Sequence, residues 1–206
     1  MSPISNTYLK PLAFHRGLCH YIRVKETNPM NTTLKSVALA TLAAVATATP
    51  GMARSSHSAH VALSQAVQRA GIDVYVNHQI CDEGNSFGMY IPAHSAIVVC
   101  QENRTRGSRQ VVAWTEEDYD TLRHEVHHVV QDCMDSTYNG VLGAVYKEPI
   151  QFGVSVLGKQ SAIRIANLYA ENGASDHIQV MEIEAFAVAA QNNPAEQIQD
   201  INRYCF

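Results

Sequence analysis

Five consecutive residues, His124-Glu125-Val126-His127-His128, are the part of this chain best suited to metal chemistry. They fit the pattern His-Glu-x-x-His, in which one helix face presents two imidazoles to a zinc ion and a glutamate to the activated water. His124 and His128 are one helical turn apart, so their side chains stack on the same face. Glu125 is then placed to take a proton from water in the open coordination position. The stretch predicts a zinc-dependent hydrolase, with peptidase chemistry as the first candidate.

A helix must hold these residues, and the sequence shows where it begins. Thr115-Glu116-Glu117-Asp118 is a variant of the capping box, and its acids suit the positive end of a helix dipole. Apolar residues then recur at helical spacing: Tyr119, Leu122, Val126, Val129 and Val130. We predict a helix that runs to about Met134 and carries the motif near its middle.

The neighbouring segments predict an α+β chain. Short apolar or alternating runs predict three strands: Ile72–Val76, Phe87–Ile91 and Ala96–Cys100. Residues 135–160 are interrupted by glycines and predict a loop with one short helix that covers the site. Three other segments have helical periodicity: Ser55–Ala70, Ser161–Glu171 and Asp176–Asn192.

A catalytic zinc ion normally has three protein ligands, so a third ligand must follow the motif. The metzincin pattern would continue with Gly and His, but Gln131 and Met134 occupy those positions. A glutamate on a later helix is the other route. Glu182 and Glu184 interrupt an apolar segment over 180–189, and a buried carboxylate is costly unless it is paired or bound to metal. Side chains two residues apart point about 200° apart around a helix, so only one of the two can face the metal.

The two helices together resemble those of the zincin metallopeptidases of the glutamate-zincin (gluzincin) type. Residues 124–131 are similar to the His-Glu-x-x-His-x-x-Gln helix of several bacterial zincin-like domains, and residues 182–185 to their downstream Glu-x-Glu-Ala helix. In those domains the first glutamate usually binds the metal, which favours Glu182. Thermolysin-like enzymes have the ligand directly before the alanine, which favours Glu184. The resemblance implies one Zn²⁺ per chain held by His124, His128 and Glu182, with Glu184 as the alternative third ligand.

This resemblance also implies a fold and a mechanism. We expect a minimal zincin-like fold with a small, mostly antiparallel sheet, the motif helix and a C-terminal helical part. Ala96–Cys100 would be the edge strand that pairs with extended substrate. Glu125 would act as general base, and a further donor would stabilise the oxyanion; the candidates are Tyr138, Tyr146 and His177. The family patterns place Asp or Asn four residues after the ligand, where this chain has Phe186 or Val188.

The first 53 residues predict export. Met30–Ala53 has a polar start with Lys35, an uncharged run over Ser36–Ala48 and small residues suited to cleavage, which are the features of a secretory signal peptide. The run is about 13 residues long, whereas a membrane span needs roughly 20; an uncleaved anchor is the alternative. Residues 1–29 are predicted to be a mis-called upstream extension, with an unusually long signal start as the alternative. The zincin-like domain is therefore expected over residues 54–206.

Charge and cysteine content complete this prediction. The formal net charge of −4 gives no basic surface for nucleic acid. The expected mature part keeps four cysteines, an even number typical of disulfides formed in an oxidising compartment. Free buried thiols are the alternative. Of the three pairings we favour Cys81–Cys100, which would brace neighbouring strands, and Cys133–Cys205, which would tie the C-terminus to the motif helix.

Three functions remain open. We favour an exported, periplasmic or secreted monomer that hydrolyses peptide or protein substrates, without a nucleic-acid partner and with membrane contact only through an uncleaved signal. The second is a catalytically inactive zincin-like protein that acts in binding or assembly, against which the intact Glu125 argues. The third is a small disulfide-braced structural protein with an accidental motif, which metal analysis would separate from the other two.

Overall fold

The structure is a computed structural model that describes residues 57–83, 86–135 and 138–206. The predicted signal peptide and upstream extension lie outside these residues. The described chain is α+β, as predicted. Its helices are α1 (His57–Arg69), α2 (Glu116–Asp132), α3 (Pro149–Leu157), α4 (Lys159–Glu171), α5 (Asp176–Gln191) and α6 (Pro194–Tyr204). Its strands are β1 (Asp73–Val76), β2 (Gly88–Ile91) and β3 (Ala96–Val99).

The sheet has the order β1-β3-β2. β3 pairs with β1 in parallel and with β2 in the antiparallel sense, so the expectation of a mostly antiparallel sheet is wrong. The expectation that Ala96–Cys100 forms an edge strand is also wrong, because β3 lies between the other two strands. All four residues of β3 are buried, and such a continuous apolar run suits a strand that is covered on both faces. β2 is the edge strand that packs against α2.

Helix α2 is the central element of the fold. It contacts α1, α5, α6, β2 and β3, so it is buried on nearly every side from Asp118 onward except at Asp120. The predicted cap is confirmed: the Thr115 side chain accepts from the backbone N–H of Asp118, and the Asp118 side chain accepts from that of Thr115. The helix ends at Asp132, close to the predicted end, and a short 3-10 turn begins at Cys133.

Both favoured disulfides are confirmed. Cys81 is bonded to Cys100 and Cys133 to Cys205. Cys81 belongs to a 3-10 turn over Gln79–Asp82, so the first bond braces this turn, and not a neighbouring strand, against the end of β3. The second bond fastens the C-terminus to the end of α2. Two disulfides are typical of a protein from an oxidising environment.

No helix along the described part of the chain combines the length and apolar character that a bilayer span requires.

Helix α3 packs closely on α5. A Cβ atom at Gly153 would lie 2.2 Å from Cγ2 of Ile183, which stands between Glu182 and Glu184 on α5. The absence of a side chain at Gly153 therefore allows the two helices to approach. The predicted short helix within residues 135–160 is confirmed as α3, and its packing supports the segment that carries both candidate ligands.

We expect Gly153→Ala to lower the free energy of unfolding by about 1–3 kcal/mol, the usual cost of overpacking a core. In an exposed helix the same change would raise the free energy of unfolding by roughly 1 kcal/mol. The sign of the change therefore tells whether Gly153 is closely packed. Urea denaturation of the variant measures the difference, with Ser155→Ala at an exposed position of α3 as the control. A stabilised Gly153→Ala variant would contradict the close packing.

Candidate metal centre

Three buried side chains from α2 and α5 meet at one point. His124 Nε2 and His128 Nε2 lie 3.0 Å apart. Glu182 Oε2 lies 3.2 Å from His124 Nε2, and Glu182 Oε1 lies 3.6 Å from His128 Nε2. Among the residues that the structure describes, these three form the one group of potential ligands with this spacing. We call them the metal cluster.

The donor set of the metal cluster fits a metal ion. Ligand atoms about 2.0–2.2 Å from a tetrahedral ion lie roughly 3.3–3.5 Å from one another, close to the distances seen here. Both oxygens of Glu182 are buried and accept no well-aligned hydrogen bond from the described residues. Such a carboxylate is costly to bury, and a bound cation would satisfy it. Two imidazoles and one carboxylate are also the ligand set of many catalytic zinc sites.

The electrostatics of the metal cluster keep His124 and Glu182 in the form that binds a cation. Burial lowers the pKa of His124 to about 4. Glu182 raises this pKa, and His128 lowers it. Burial alone would raise the pKa of Glu182, but His128 and His124 hold it well below its usual range. The result is a neutral His124 beside an ionised carboxylate.

Glu184 faces away from the metal cluster. Its Oε2 accepts hydrogen bonds from Gln131 Nε2 at 2.8 Å and from the Val145 N–H at 3.3 Å, and its Oε1 accepts from the Tyr146 N–H at 2.6 Å. His127 Nε2 lies 3.5 Å from the same carboxylate. Burial opposes ionisation of Glu184, but His127 and these donors hold its pKa below the usual range. Of the two candidate third ligands, the structure brings Glu182 to the histidines and gives Glu184 other partners.

Glu125 lies between α2 and the edge strand β2. A Cβ atom at Gly88 would lie 3.0 Å from Glu125 Oε1 and 2.5 Å from Thr121 Cγ2, so the bare backbone of Gly88 leaves the space that the Glu125 side chain occupies. Burial raises the pKa of Glu125 to about 8, with a further contribution from Glu182, while His128 and the Tyr90 N–H act in the opposite direction. A cation at the metal cluster would lower this pKa.

Phe186 stands four residues after Glu182, where the family patterns place an orienting Asp or Asn. Its ring contacts that of His124 edge to face, with centroids 4.5 Å apart. The orientation of this histidine is therefore supported by aromatic packing, which explains how a site without the expected carboxylate can hold its geometry.

The three predicted oxyanion donors have partners elsewhere. The Tyr138 hydroxyl donates to the Cys205 carbonyl at 3.5 Å, and His177 Nε2 lies 2.7 Å from the Leu142 carbonyl oxygen. Tyr146 stacks on Phe152, with centroids 3.8 Å apart. Burial raises the pKa of the Tyr146 hydroxyl, although a hydrogen bond with Asn192 acts to lower it. Their role as donors stays a prediction.

Asp132 also supports the site, although its sequence context does not indicate it. Asp132 has the sequence context of an exposed turn, but it is fully buried. Its Oδ2 accepts from the Tyr90 hydroxyl at 2.7 Å, and its Oδ1 accepts from the Gly140 N–H at 2.8 Å. It thereby ties β2 and the segment after α2 to the end of the motif helix. The sequence neighbours of Asp132, Gln131 and Cys133, give no signal of this role, which depends on tertiary contacts.

Fold and site together define an α+β protein with a buried His-His-Glu group suited to a metal ion. The chain belongs to the family described as Domain of unknown function (DUF8637), which it matches over residues 52–206. This range contains the metal cluster and Glu125, and it begins close to the predicted start of the domain at residue 54. No curated protein and no solved structure has a significant match to the chain.

Proposed function

We propose that this protein is an exported zinc-dependent peptidase of the gluzincin type. The observation that carries the proposal is the position of Glu125 next to His124 in a buried site where His124, His128 and Glu182 converge. Zn²⁺, when bound, supplies a Lewis acid that polarises the scissile carbonyl and lowers the pKa of water. The disulfides and the predicted signal peptide support export to the periplasm or the medium.

Glu125 carries the proton transfers in this proposal. It takes a proton from the attacking water and later gives it to the leaving amine. The Glu125 side chain packs against the backbone of Gly88, and a base held in place reacts faster than a mobile one.

Glu125 belongs to the side of β2 that faces away from β3. The Cys100 N–H donates to the Phe87 carbonyl, so the alternation of an antiparallel pair directs the backbone groups of Gly88 and Tyr90 away from β3. Glu125 lies on this side of the strand. The Tyr90 N–H on this side interacts with Glu125, and Gly88 and Tyr90 are buried, so this edge of β2 holds the proposed base in place.

Cleavage assays test the proposal. The full chain, loaded with zinc, is incubated with casein and with a peptide library. We expect cleavage that a chelator stops and added zinc restores. Metal binding without any cleavage would contradict the peptidase and would favour the binding or assembly function.

We expect Gly88→Ala to lower kcat/KM by up to about 10²-fold, the loss that a displacement of about 1 Å can cause, while zinc content stays unchanged. The reason is that the new Cβ would push on the Glu125 side chain. The double variant Gly88→Ala/Thr121→Ser is the control, because it removes the closest clash, with Thr121 Cγ2, and leaves the contact with Glu125. Full activity of the single variant would show that Gly88 does not position the base.

A further inference from the structure

A chain of hydrogen bonds leads from the metal cluster through Gln131 to Glu184. Gln131 lies three residues after His128 on α2, and its Oε1 lies 2.8 Å from His128 Nδ1. Its Nε2 lies 3.0 Å from the Met181 carbonyl oxygen and 2.8 Å from Glu184 Oε2. Both polar atoms of this fully buried side chain are therefore engaged.

The partners of Gln131 decide which way its side-chain amide points. An amide nitrogen donates two hydrogen bonds, whereas its oxygen only accepts. The Met181 carbonyl and the Glu184 carboxylate are both acceptors, so the nitrogen must face them. The reversed amide would bring its oxygen against two acceptors in a buried region, with the loss of both hydrogen bonds. Gln131 Oε1 consequently faces His128 Nδ1.

This orientation also determines where His128 carries its proton. Gln131 Oε1 can accept a hydrogen bond but cannot donate one, so the hydrogen must come from His128 Nδ1. A neutral imidazole with its hydrogen on Nδ1 has a lone pair on Nε2. Nε2 is the atom that lies 3.0 Å from His124 Nε2 and 3.6 Å from Glu182 Oε1.

Glu184 keeps this arrangement in place from the other side. The backbone N–H groups of Val145 and Tyr146 donate to its carboxylate, so the acceptor that fixes the Gln131 amide is itself anchored to the segment before α3. The two glutamates of α5 thus have different tasks, which follow from their opposite directions on the helix.

We propose that Gln131, held by Glu184 and the Met181 carbonyl, is a positioning residue that keeps a proton on Nδ1 of His128 and so prepares Nε2 to bind a divalent metal ion. The inference rests on the proposed function, because it concerns the same site. Partners of this kind contribute about 10–100-fold to metal affinity in known metal sites.

The first test needs no substitution and no metal. Nitrogen-15 chemical shifts of the histidine rings are measured on the full chain after removal of metal. We expect a proton on Nδ1 of His128 and none on its Nε2. An unprotonated Nδ1 in the folded wild-type chain would overturn the proposal, whether or not the protein binds zinc or cleaves peptides.

Three variants separate positioning from packing. Gln131→Leu removes the acceptor, and we expect a loss of the Nδ1 preference and zinc binding weakened by about 10–100-fold. Gln131→Glu keeps an acceptor oxygen for Nδ1, while its second oxygen must carry a proton to donate to Glu184, so the proton of His128 should stay on Nδ1. Gln197→Leu replaces another buried glutamine, whose amide donates to the Arg123 carbonyl next to His124 and has no contact with His128 Nδ1, and should leave the proton on His128 Nδ1 unchanged.

The outcomes distinguish this proposal from the proposed function. An unchanged His128 in Gln131→Leu, or an equal change in Gln197→Leu, would overturn the positioning role. If Gln131→Leu does not fold, the wild-type measurement and Gln131→Glu decide. A wild-type chain that binds no zinc would refute the peptidase, while the proton on His128 would still be measured in the metal-free protein.

Discussion

Replacing Glu125 with glutamine is expected to abolish peptide hydrolysis and to leave the metal cluster intact. Glutamine has nearly the shape of glutamate, so it fits the space beside Gly88 and Thr121. It cannot take a proton from water, and the loss of a general base lowers rates by about 10²–10⁴-fold. Because Glu125 is not one of the three cluster residues, bound zinc should remain at the wild-type level. The measurement pairs kcat/KM on a peptide substrate with zinc content.

A matched control comes from the same helix. Glu116 is exposed in the first turn of α2, and Glu116→Gln should retain both activity and metal. Wild-type activity in Glu125→Gln would rule out Glu125 as the base. Loss of zinc together with activity would instead show that Glu125 shapes the metal site itself.

Replacing Glu182 with glutamine is expected to remove most of the zinc affinity, by more than about 10²-fold. The reason is that this carboxylate supplies the one negative charge of the metal cluster, with oxygens 3.2 and 3.6 Å from the two histidines. Glu184→Gln should cost less, within the roughly 10–100-fold that partners outside the ligand shell contribute. Competition with a chromogenic chelator measures both variants, and circular dichroism checks that each is folded.

The pair of variants decides between two neighbouring glutamates. If Glu184→Gln lost more affinity than Glu182→Gln, the third ligand would be Glu184, as in the thermolysin-like pattern. The hydrogen bonds from Gln131, Val145 and Tyr146 to Glu184 would then have to break for metal to bind. Equal and small losses would show that no metal is held between α2 and α5.

Features that depend on local sequence can be predicted well. The cap at Thr115, the position of the motif within α2 and the face shared by His124 and His128 all follow from helix geometry over a few residues. The favoured disulfide pairing is confirmed as well, but the Cys133–Cys205 bond spans 72 residues and its formation depends on the packing of α6 against α2.

Features that depend on the arrangement of distant elements are harder to predict. β3 is a central strand and not the expected edge strand, and its uniformly apolar residues are typical of a central position. Helix α6 is missing from the predicted elements, although Asn193 and Glu196 form a capping box at its start. The sequence narrows the third ligand to Glu182 or Glu184 but cannot assign their separate roles, because these depend on how α5 is rotated against α2.

The most direct test of the central claim is the metal content of the wild-type chain. The full chain is dialysed against zinc, freed of excess and measured by mass spectrometry of the elements, and zinc-edge absorption spectra then report the ligands. We expect one zinc ion per chain, bound by two imidazole nitrogens and carboxylate oxygen. A chain that retains no zinc, or that binds it equally well after His124→Ala and His128→Ala, would contradict the metal centre proposed for His124, His128 and Glu182.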